Sequence, residues 1–486
     1  MRQQQFIKLF GLALLPLVIS ACSSFKSVEH SRELANVPAV PAAFELQGNM
    51  NEQQPVAAWW LQLNDEDLNQ LIADSLQQNH SIRIAQASLA ESRALLRDSK
   101  LNRYPTVEAG ASGTRHKQSG DLVGTAGSRI SETYQTGFDA SWELDIFGRV
   151  RNGVKLSKAQ LAARAADLQA AQVSIAAEVA SAYISLRGNQ YLLDVALRNV
   201  LNQQETLQLT QRFEEVGRGD QFDVARAESQ LELTRASIPT LHAQVNVALN
   251  RIGVLTGKPT AELKTALTQV KSLPEIPASF AVGNPTDLLK RRPDIRRAEQ
   301  ALAGAVAEYN IRVADLYPSV TFVGGLGYLS SDWTRLGNSD TDTFSFSPRI
   351  QWAAFNIGRI DAQIHAADAR TQARIAEFEQ QVLVALEETD NALQNFSREE
   401  ERRTGLQRAL SASNQAAFFA RKKFEVGSSD FLTVLDAERS QLTVSAQLAQ
   451  SDMQVLLNLI AVYKTLGGGW EFAEQSVVAR QVATPQ

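Results

Sequence analysis

Tyr134-Gln135-Thr136-Gly137-Phe138-Asp139-Ala140-Ser141-Trp142-Glu143-Leu144 changes character at every step. The even positions carry Tyr134, Phe138, Ala140, Trp142 and Leu144, with Thr136 among them, and the odd ones carry Gln135, Gly137, Asp139, Ser141 and Glu143. Successive side chains of a strand point to opposite faces, so the segment predicts a strand with one aromatic face and one polar face. Residues 106–114 read as its hairpin partner. A second hairpin follows the same rule: Val320, Phe322, Leu326 and Tyr328 alternate with Ser319, Thr321, Gly325 and Gly327, and Phe344, Phe346, Ile350 and Trp352 with Ser345, Ser347, Arg349 and Gln351. Such strands either cover a soluble core or cross a membrane with aromatics in lipid and polar groups in a wet lumen. Lengths of about ten residues, aromatics near both ends and Gly/Ser/Asp-rich loops at 115–130 and 330–342 favour the membrane.

Outward from the strands, the chain repeats itself. Ile82-Arg83-x-Ala85 matches Ile295-Arg296-x-Ala298, and Tyr104-Pro105 matches Tyr317-Pro318, both 213 residues apart (295 − 82). Gly148-Arg149 matches Gly358-Arg359, and Val224-x-x-Ala227-Glu228 matches Val434-x-x-Ala437-Glu438, both 210 apart (358 − 148). Each copy has a short helix, a hairpin, a very long helix, a Gly-containing break and another short helix. Residues 149–216 hold Val179, Leu186, Leu193, Val200 and Leu207 seven apart, a coiled-coil spacing. Residues 359–426 hold Ile375, Phe378, Val382, Leu386, Thr389, Leu393 and Phe396 at threes and fours. Two short helices roughly equal one long one, so each copy supplies a matched antiparallel pair. Pro239 is expected to kink its helix.

The segments that follow from this are repeat 1 over 67–257 (hairpin 106–145, helices 149–216 and 220–256), a proline-bearing connector over 258–292, repeat 2 over 293–470 (hairpin 319–354, helices 359–426 and 430–466), and a tail over 471–486. Four strands cannot close a transmembrane barrel, whose smallest forms have about eight. Open edges in lipid leave backbone groups unpaired. The chain is therefore expected to oligomerise, with several subunits sharing one barrel.

Composition excludes several functions. The 48 basic and 53 acidic residues leave a net charge of −5, which gives no reason to expect a nucleic-acid partner. Mean hydropathy is −0.20, and after the N-terminus no apolar run approaches the roughly 20 residues of a membrane-spanning helix. The five histidines (30, 80, 116, 242 and 365) show no metal-ligand spacing, and no phosphate-binding glycine loop occurs. No catalytic residue, cofactor or metal is expected. Gly467-Gly468-Gly469 follows a helix and reads as its stop.

The N-terminus has the features of a processing signal over 1–21, with Arg2 and Lys8 ahead of the apolar Phe10 to Ile19. Ile19-Ser20-Ala21-Cys22 resembles the lipobox of bacterial lipoproteins, which implies acylation of Cys22, the only cysteine in the chain. Residues 22–66 then form an acylated linker. Ser23, rather than an aspartate, follows the cysteine, and the resemblance therefore implies the outer membrane.

The chain as a whole resembles the outer-membrane factors of tripartite RND-type efflux systems, the channel-tunnel proteins, and especially their lipoprotein branch. The stretches that carry the resemblance are Trp142-Glu143-Leu144-Asp145-Ile146-Phe147-Gly148-Arg149, Arg292-Pro293-Asp294-Ile295, Tyr317-Pro318-Ser319, Val434-Leu435-Asp436-Ala437-Glu438-Arg439 and Leu466-Gly467-Gly468-Gly469-Trp470. The implied fold is membrane α+β: a homotrimer with a shared twelve-stranded barrel, four strands per chain, continuous with a twelve-helix periplasmic tunnel and a mixed equatorial domain. The implied partners are a periplasmic adaptor (membrane fusion) protein, an inner-membrane RND-type transporter and outer-membrane lipid.

The resemblance also implies site residues. Leu432 falls at an apolar constriction and Asp436 at an acidic ring of the periplasmic gate, with Arg439 one turn on and able to pair with Asp436. Phe424 and Asp223 match positions that latch the inner helix pair to its neighbour. Ser429 and Thr433 stand where the best-known branch has charged residues, which implies a thinner latch. Tyr134, Phe138, Trp142, Phe322, Tyr328, Phe344, Phe346 and Trp352 are the expected lipid-facing barrel aromatics. The function implied is passive conduction of drugs or metal ions supplied by the transporter. Alternatives are secretion of protein or polysaccharide through the same tunnel, or a non-conducting lipid-anchored scaffold.

Overall fold

In a computed structural model of the chain, residues 50–119 and 129–471 are described, together with positions 35, 41, 43 and 44. Cys22, most of the linker, part of the first hairpin loop and the C-terminal tail beyond 471 lie outside the described residues. The chain divides into two compact units, one built on Ser92–Leu161 and Glu299–Phe378, the other on Val37–Glu91, Ala162–Ala298 and Glu379–Gln486.

The first unit holds the sheet. Strands β2 (Thr106–Lys117), β3 (Ile130–Leu144), β5 (Ser319–Ser330) and β6 (Asp342–Gln351) form one antiparallel sheet in the order β2-β3-β5-β6. The strands outrun the alternation that predicts them. Beyond Thr114 the ladder continues through Arg115 opposite Glu132, an ion pair at 3.2 Å, to Lys117 opposite Ile130. Trp352 falls one residue past β6.

Register decides which side chains share a face. Phe138 lies opposite Leu326, Trp142 opposite Phe322, Phe322 opposite Pro348, and Leu326 opposite Phe344. Because pleating alternates, the strand aromatics named above fall on one face, with Gln135, Asp139, Glu143, Thr321, Ser345 and Arg349 on the other. On the polar face Gly137 pairs with Gly327 so closely that a Cβ on either would sit within 2.5 Å of a carbonyl oxygen of the neighbouring strand. Only glycine fits this pinch.

The rest of the described chain is mainly helical, and several of its helices run from one unit into the other. Helix α1 (Glu66–Gln78) is separated from α2 (His80–Leu101) by Asn79, whose Nδ2 donates to the Leu255 carbonyl at 2.8 Å and whose Oδ1 accepts from the Ser81 amide. The long helix α3 (Arg149–Glu215) and α4 (Gln221–Thr256) follow, then α5 (Thr260–Leu267) and a two-residue strand β4 (Phe280–Ala281). Strand β4 pairs in parallel with β1 (Met50–Asn51). Helix α6 (Pro285–Arg291) is separated from α7 (Pro293–Ala314) by Arg292, 213 residues from Asn79 and thus its counterpart in the second copy. The second long helix α8 (Ile357–Glu425) and α9 (Phe431–Thr465) complete the chain. Helix α4 runs on through Pro239 without ending.

Burial follows the predicted spacing in part: of the heptad residues Val179 and Leu186 are buried, while Leu193, Val200 and Leu207 are half-buried. Val179, Leu186, Phe378, Val382 and Phe396 are sealed from solvent. The core around them is aromatic: Trp59 stacks on Tyr463 at 4.9 Å, and Phe280 meets Phe396 edge-on at 5.1 Å. Buried Arg187 donates to Asp67 at 2.9 Å and to the Gln269 carbonyl at 2.7 Å. Gly467 (φ +69°) and Gly469 (φ +118°) stop α9 and bring the chain against Trp59 and Trp60.

Candidate functional site

Two helical hairpins end in turns of the same design. Gly217 and Gly427 take the left-handed conformation at φ +75° and +72°, where glycine avoids the clash that any Cβ meets. Arg218 and Ser428 then donate their amides back to the Phe213 and Lys423 carbonyls. Asp220 caps α4 by accepting from the Asp223 amide at 2.9 Å, and Asp430 caps α9 by accepting from the Thr433 amide and hydroxyl at 3.0 and 2.6 Å. Those two bonds hold the Asp430 carboxyl below its ordinary range. Asp223 is shifted upward, first by desolvation and then by the charges of Asp220 and Asp430, against the opposing pull of Arg226.

Between the turns lies a small apolar core of Ala227, Ala420, Phe424, Phe431 and Val434. Phe424, 8% exposed, packs on Phe213 of α3 at 5.0 Å and on Phe431 at 5.7 Å. It therefore joins the second hairpin to the first inside one chain. Arg218 adds a cation–π contact to Phe213 at 5.0 Å while its guanidinium reaches over Gly427. Asp223 stays at the half-buried edge of this region.

Leu432, Asp436 and Arg439 fall at i, i+4 and i+7 of α9, hence on one face, and all three are exposed. They line a groove of about 240 Å³ with Arg226, Ser229, Gln230 and Leu233 of α4. The strongest ion pair of this region lies elsewhere. Arg421 of α8 donates to Glu438 of α9 at 2.6 Å, and the Thr206 hydroxyl of α3 donates to the same carboxylate at 3.0 Å. Glu438 is 7% exposed, so the ion pair within the second hairpin and the Thr206 bond that crosses to the first both sit in a mostly dry setting. Sequence reasoning stopped at Asp436 and Arg439 and missed it. The signal was available: Phe431, Val434 and Glu438 are spaced by three and four, which puts Glu438 on the buried stripe.

The sheet is the second functional surface. Phe344, Phe346 and Ile350 are 83%, 69% and 71% exposed, and Phe138, Leu326 and Trp352 are also open. Within this face Phe322 stacks on Phe346 at 5.5 Å and lies 6.3 Å from Trp142. Trp142 and Trp352 each donate the indole N–H at 3.0 Å, to the Arg103 and Leu316 carbonyls respectively. Among the described residues no group of His, Cys, Asp and Glu is arranged to hold a metal ion. No described helix is long and apolar enough to cross a membrane.

The chain thus combines a sheet with an uncovered apolar face and two helices of 67 and 69 residues. The outer-membrane channel OprN shares 38% identity over 92% of this chain and 98% of its own, with a TM-score of 0.85. By sequence, the solvent efflux pump outer membrane protein SrpC of Pseudomonas putida is 29% identical over 84% of this chain and 87% of its own. The outer membrane protein OprJ of Pseudomonas aeruginosa is 27% identical over 97% and 98%. The chain belongs to the outer membrane efflux protein family, whose model matches residues 71–258 and 284–468, one match for each copy of the repeat. It is an outer-membrane efflux channel and not an enzyme.

Proposed function

We propose that three copies of this chain share one twelve-stranded barrel and one twelve-helix periplasmic tunnel, through which small molecules leave passively. The observation that carries this reading is the four-stranded sheet: one face apolar and uncovered, and both edges unpaired among the described residues. In lipid such a sheet is stable only when its edges are closed by further strands. The aromatic face then contacts lipid, and the face bearing Asp139, Glu143 and Arg349 lines water. Cys22, acylated, adds a lipid anchor to the same membrane.

Energy comes from an inner-membrane RND-type transporter, delivered through a periplasmic adaptor that meets the helical end. The relatives' names mention solvent and toluene as cargo, and compact apolar molecules of that class suit this chain too. Leu432 and Asp436 form the gate, with Arg439 completing the exposed face, and Phe424 and Asp223 belong to the latch beside it. Three Asp436 carboxylates around a narrow axis repel one another and attract cations, so a closed state needs latching from outside the ring. Single-channel recording of the purified protein tests both parts. Small, rare openings are expected, and Leu432→Ala with Asp436→Ala is expected to raise conductance severalfold. A protein silent even with both changes would be no channel.

A further inference from the structure

We propose that β6 pairs antiparallel with β2 of a second copy of this chain in one fixed register, Ser345 opposite His116 and Ile350 opposite Ala111. The assignment rests on the shared-barrel reading and deepens it to named residues.

The register follows from the internal repeat, which holds in the strands as well as the sequence. Raising β2 numbers by 213 and β3 numbers by 210 converts the pair Thr106–Ser141 into Ser319–Gln351, which is the observed β5–β6 pair. The same offsets convert the bond from Trp142 to Arg103 into the one from Trp352 to Leu316, each 3.0 Å long. The two hairpins are thus copies down to a single hydrogen bond. The chain also contains one junction between hairpins, β3 with β5. Its image under those offsets is β6 with β2, and within one chain these two strands lie at opposite edges of the sheet. Only another copy can supply the missing neighbour.

Applied residue by residue, the β3–β5 register gives the new seam. Gln135–Leu329 becomes Ser345–His116, Ala140–Gly324 becomes Ile350–Ala111, and Phe138–Leu326 becomes Pro348–Gly113. Faces agree: Phe346, Ile350 and Ala111 stay on the apolar side, Ser345 and His116 on the polar side. The proline ring meets a residue without a side chain. At the inner junction Phe147 stacks on Tyr317 at 4.7 Å, and the image of that contact is Ile357 against Tyr104 of the second copy. Tyr104 is 66% and Ile357 50% exposed in the single chain, which leaves both free to meet. Neither the ring stack, where Ile357 replaces Phe147, nor the glycine pinch is copied, since Ser347 and Thr114 replace Gly137 and Gly327. The new seam therefore has ordinary strand spacing at that point.

Cysteine cross-linking in the full-length protein in outer-membrane vesicles tests the register, because Cys22 is the only native cysteine. Directly opposed residues lie about 4.5–5.5 Å apart at Cα, within disulfide reach, whereas positions two residues off lie beyond about 7 Å. Ser345→Cys with His116→Cys is expected to give covalent dimers and trimers on mild oxidation, at least tenfold above either single variant. Ser345→Cys combined with Thr114→Cys or with Gln118→Cys is expected to stay at background. Efficient linking in one of those two pairs instead would overturn the register while leaving a shared barrel standing. Absence of linking in all three pairs overturns the seam. If the wild-type protein is then monomeric by light scattering, the shared barrel falls with it.

Discussion

Glu438 and Glu228 follow the same Val-x-x-Ala-Glu sequence in the two copies, yet Glu438 is buried against Arg421 and Thr206 while Glu228 is exposed. Removing the buried carboxylate strands Arg421 and leaves the Thr206 hydroxyl without its acceptor. Glu438→Ala is therefore expected to cost about 1–3 kcal/mol, read as a lower midpoint in thermal unfolding followed by helical circular dichroism. It is also expected to raise the frequency of channel openings, since the bond from Thr206 to Glu438 joins the hairpin that carries the proposed gate to its neighbour. Glu228→Ala is expected to change stability by under about 0.5 kcal/mol. Equal effects from the two would remove the latch role from Glu438. Charge also matters at Arg292, which donates to Asp294 at 2.6 Å and to Glu388 at 2.5 Å. Burial pushes the Asp294 carboxyl up, but hydrogen bonds and charge from Arg292 outweigh it and leave it below its ordinary value. A depressed carboxylate contributes stability above its unfolded value of about 3.9, and that contribution disappears as pH falls through the lower folded value. Asp294→Asn is expected to lower the melting temperature at neutral pH and to flatten the loss of stability below about pH 4; an unchanged acid limb would exclude Asp294 as a source of it. The sequence shows Leu432, Asp436 and Arg439 only through a family resemblance, because three exposed residues on a helix face carry no intrinsic mark. Glu438 was legible from spacing alone, since its partners lie 17 and 232 residues away but its place on the apolar stripe is local.

Among the elements, the turns are the most local and so the easiest to read. Gly217 takes φ +75° with nothing near the position a Cβ would occupy, so Gly217→Ala isolates the conformational cost. That cost is about 1–2 kcal/mol, measurable as faster proteolysis at the first hairpin turn; unchanged cleavage would mean the turn is not held left-handed. The long helices were equally legible, since no proline interrupts either and apolar residues recur at sevens in the first and at threes and fours in the second. The strands were legible in their middles only. Past Thr114 and before Tyr134 the ladder runs on through Arg115, His116, Lys117 and Glu132, where backbone pairing persists after the apolar alternation has stopped. The break at Asn79 was invisible because the apolar pattern runs through it, whereas the one at Arg292 coincides with the 292/293 boundary read from the sequence, just ahead of Pro293. Each is imposed from a distance, Asn79 by the Leu255 carbonyl and Arg292 by Glu388 and the Thr465 carbonyl.

For the whole molecule the proposed shared barrel requires the sheet's two faces to meet different solvents. Phe346 and Ser345 are adjacent on β6 and point opposite ways, so one substitution at each separates the roles of the faces. An arginine on a lipid face near the bilayer midplane costs about 2–4 kcal/mol, while a lumen face tolerates it. Phe346→Arg is therefore expected to reduce the amount of folded, heat-resistant assembly recovered from outer membranes. Conductance of the molecules that do assemble is expected to stay near normal, because the new charge never touches the water path. Ser345→Arg is expected to do the reverse, leaving assembly near wild-type levels while shifting ion selectivity toward anions. These two readouts are independent, so the faces cannot be exchanged without reversing both. If Ser345→Arg blocked assembly and Phe346→Arg altered selectivity, the aromatic face would have to line the lumen. If neither change affected assembly or selectivity, the sheet would not be in the membrane, and the uncovered aromatics would have to be covered by protein instead.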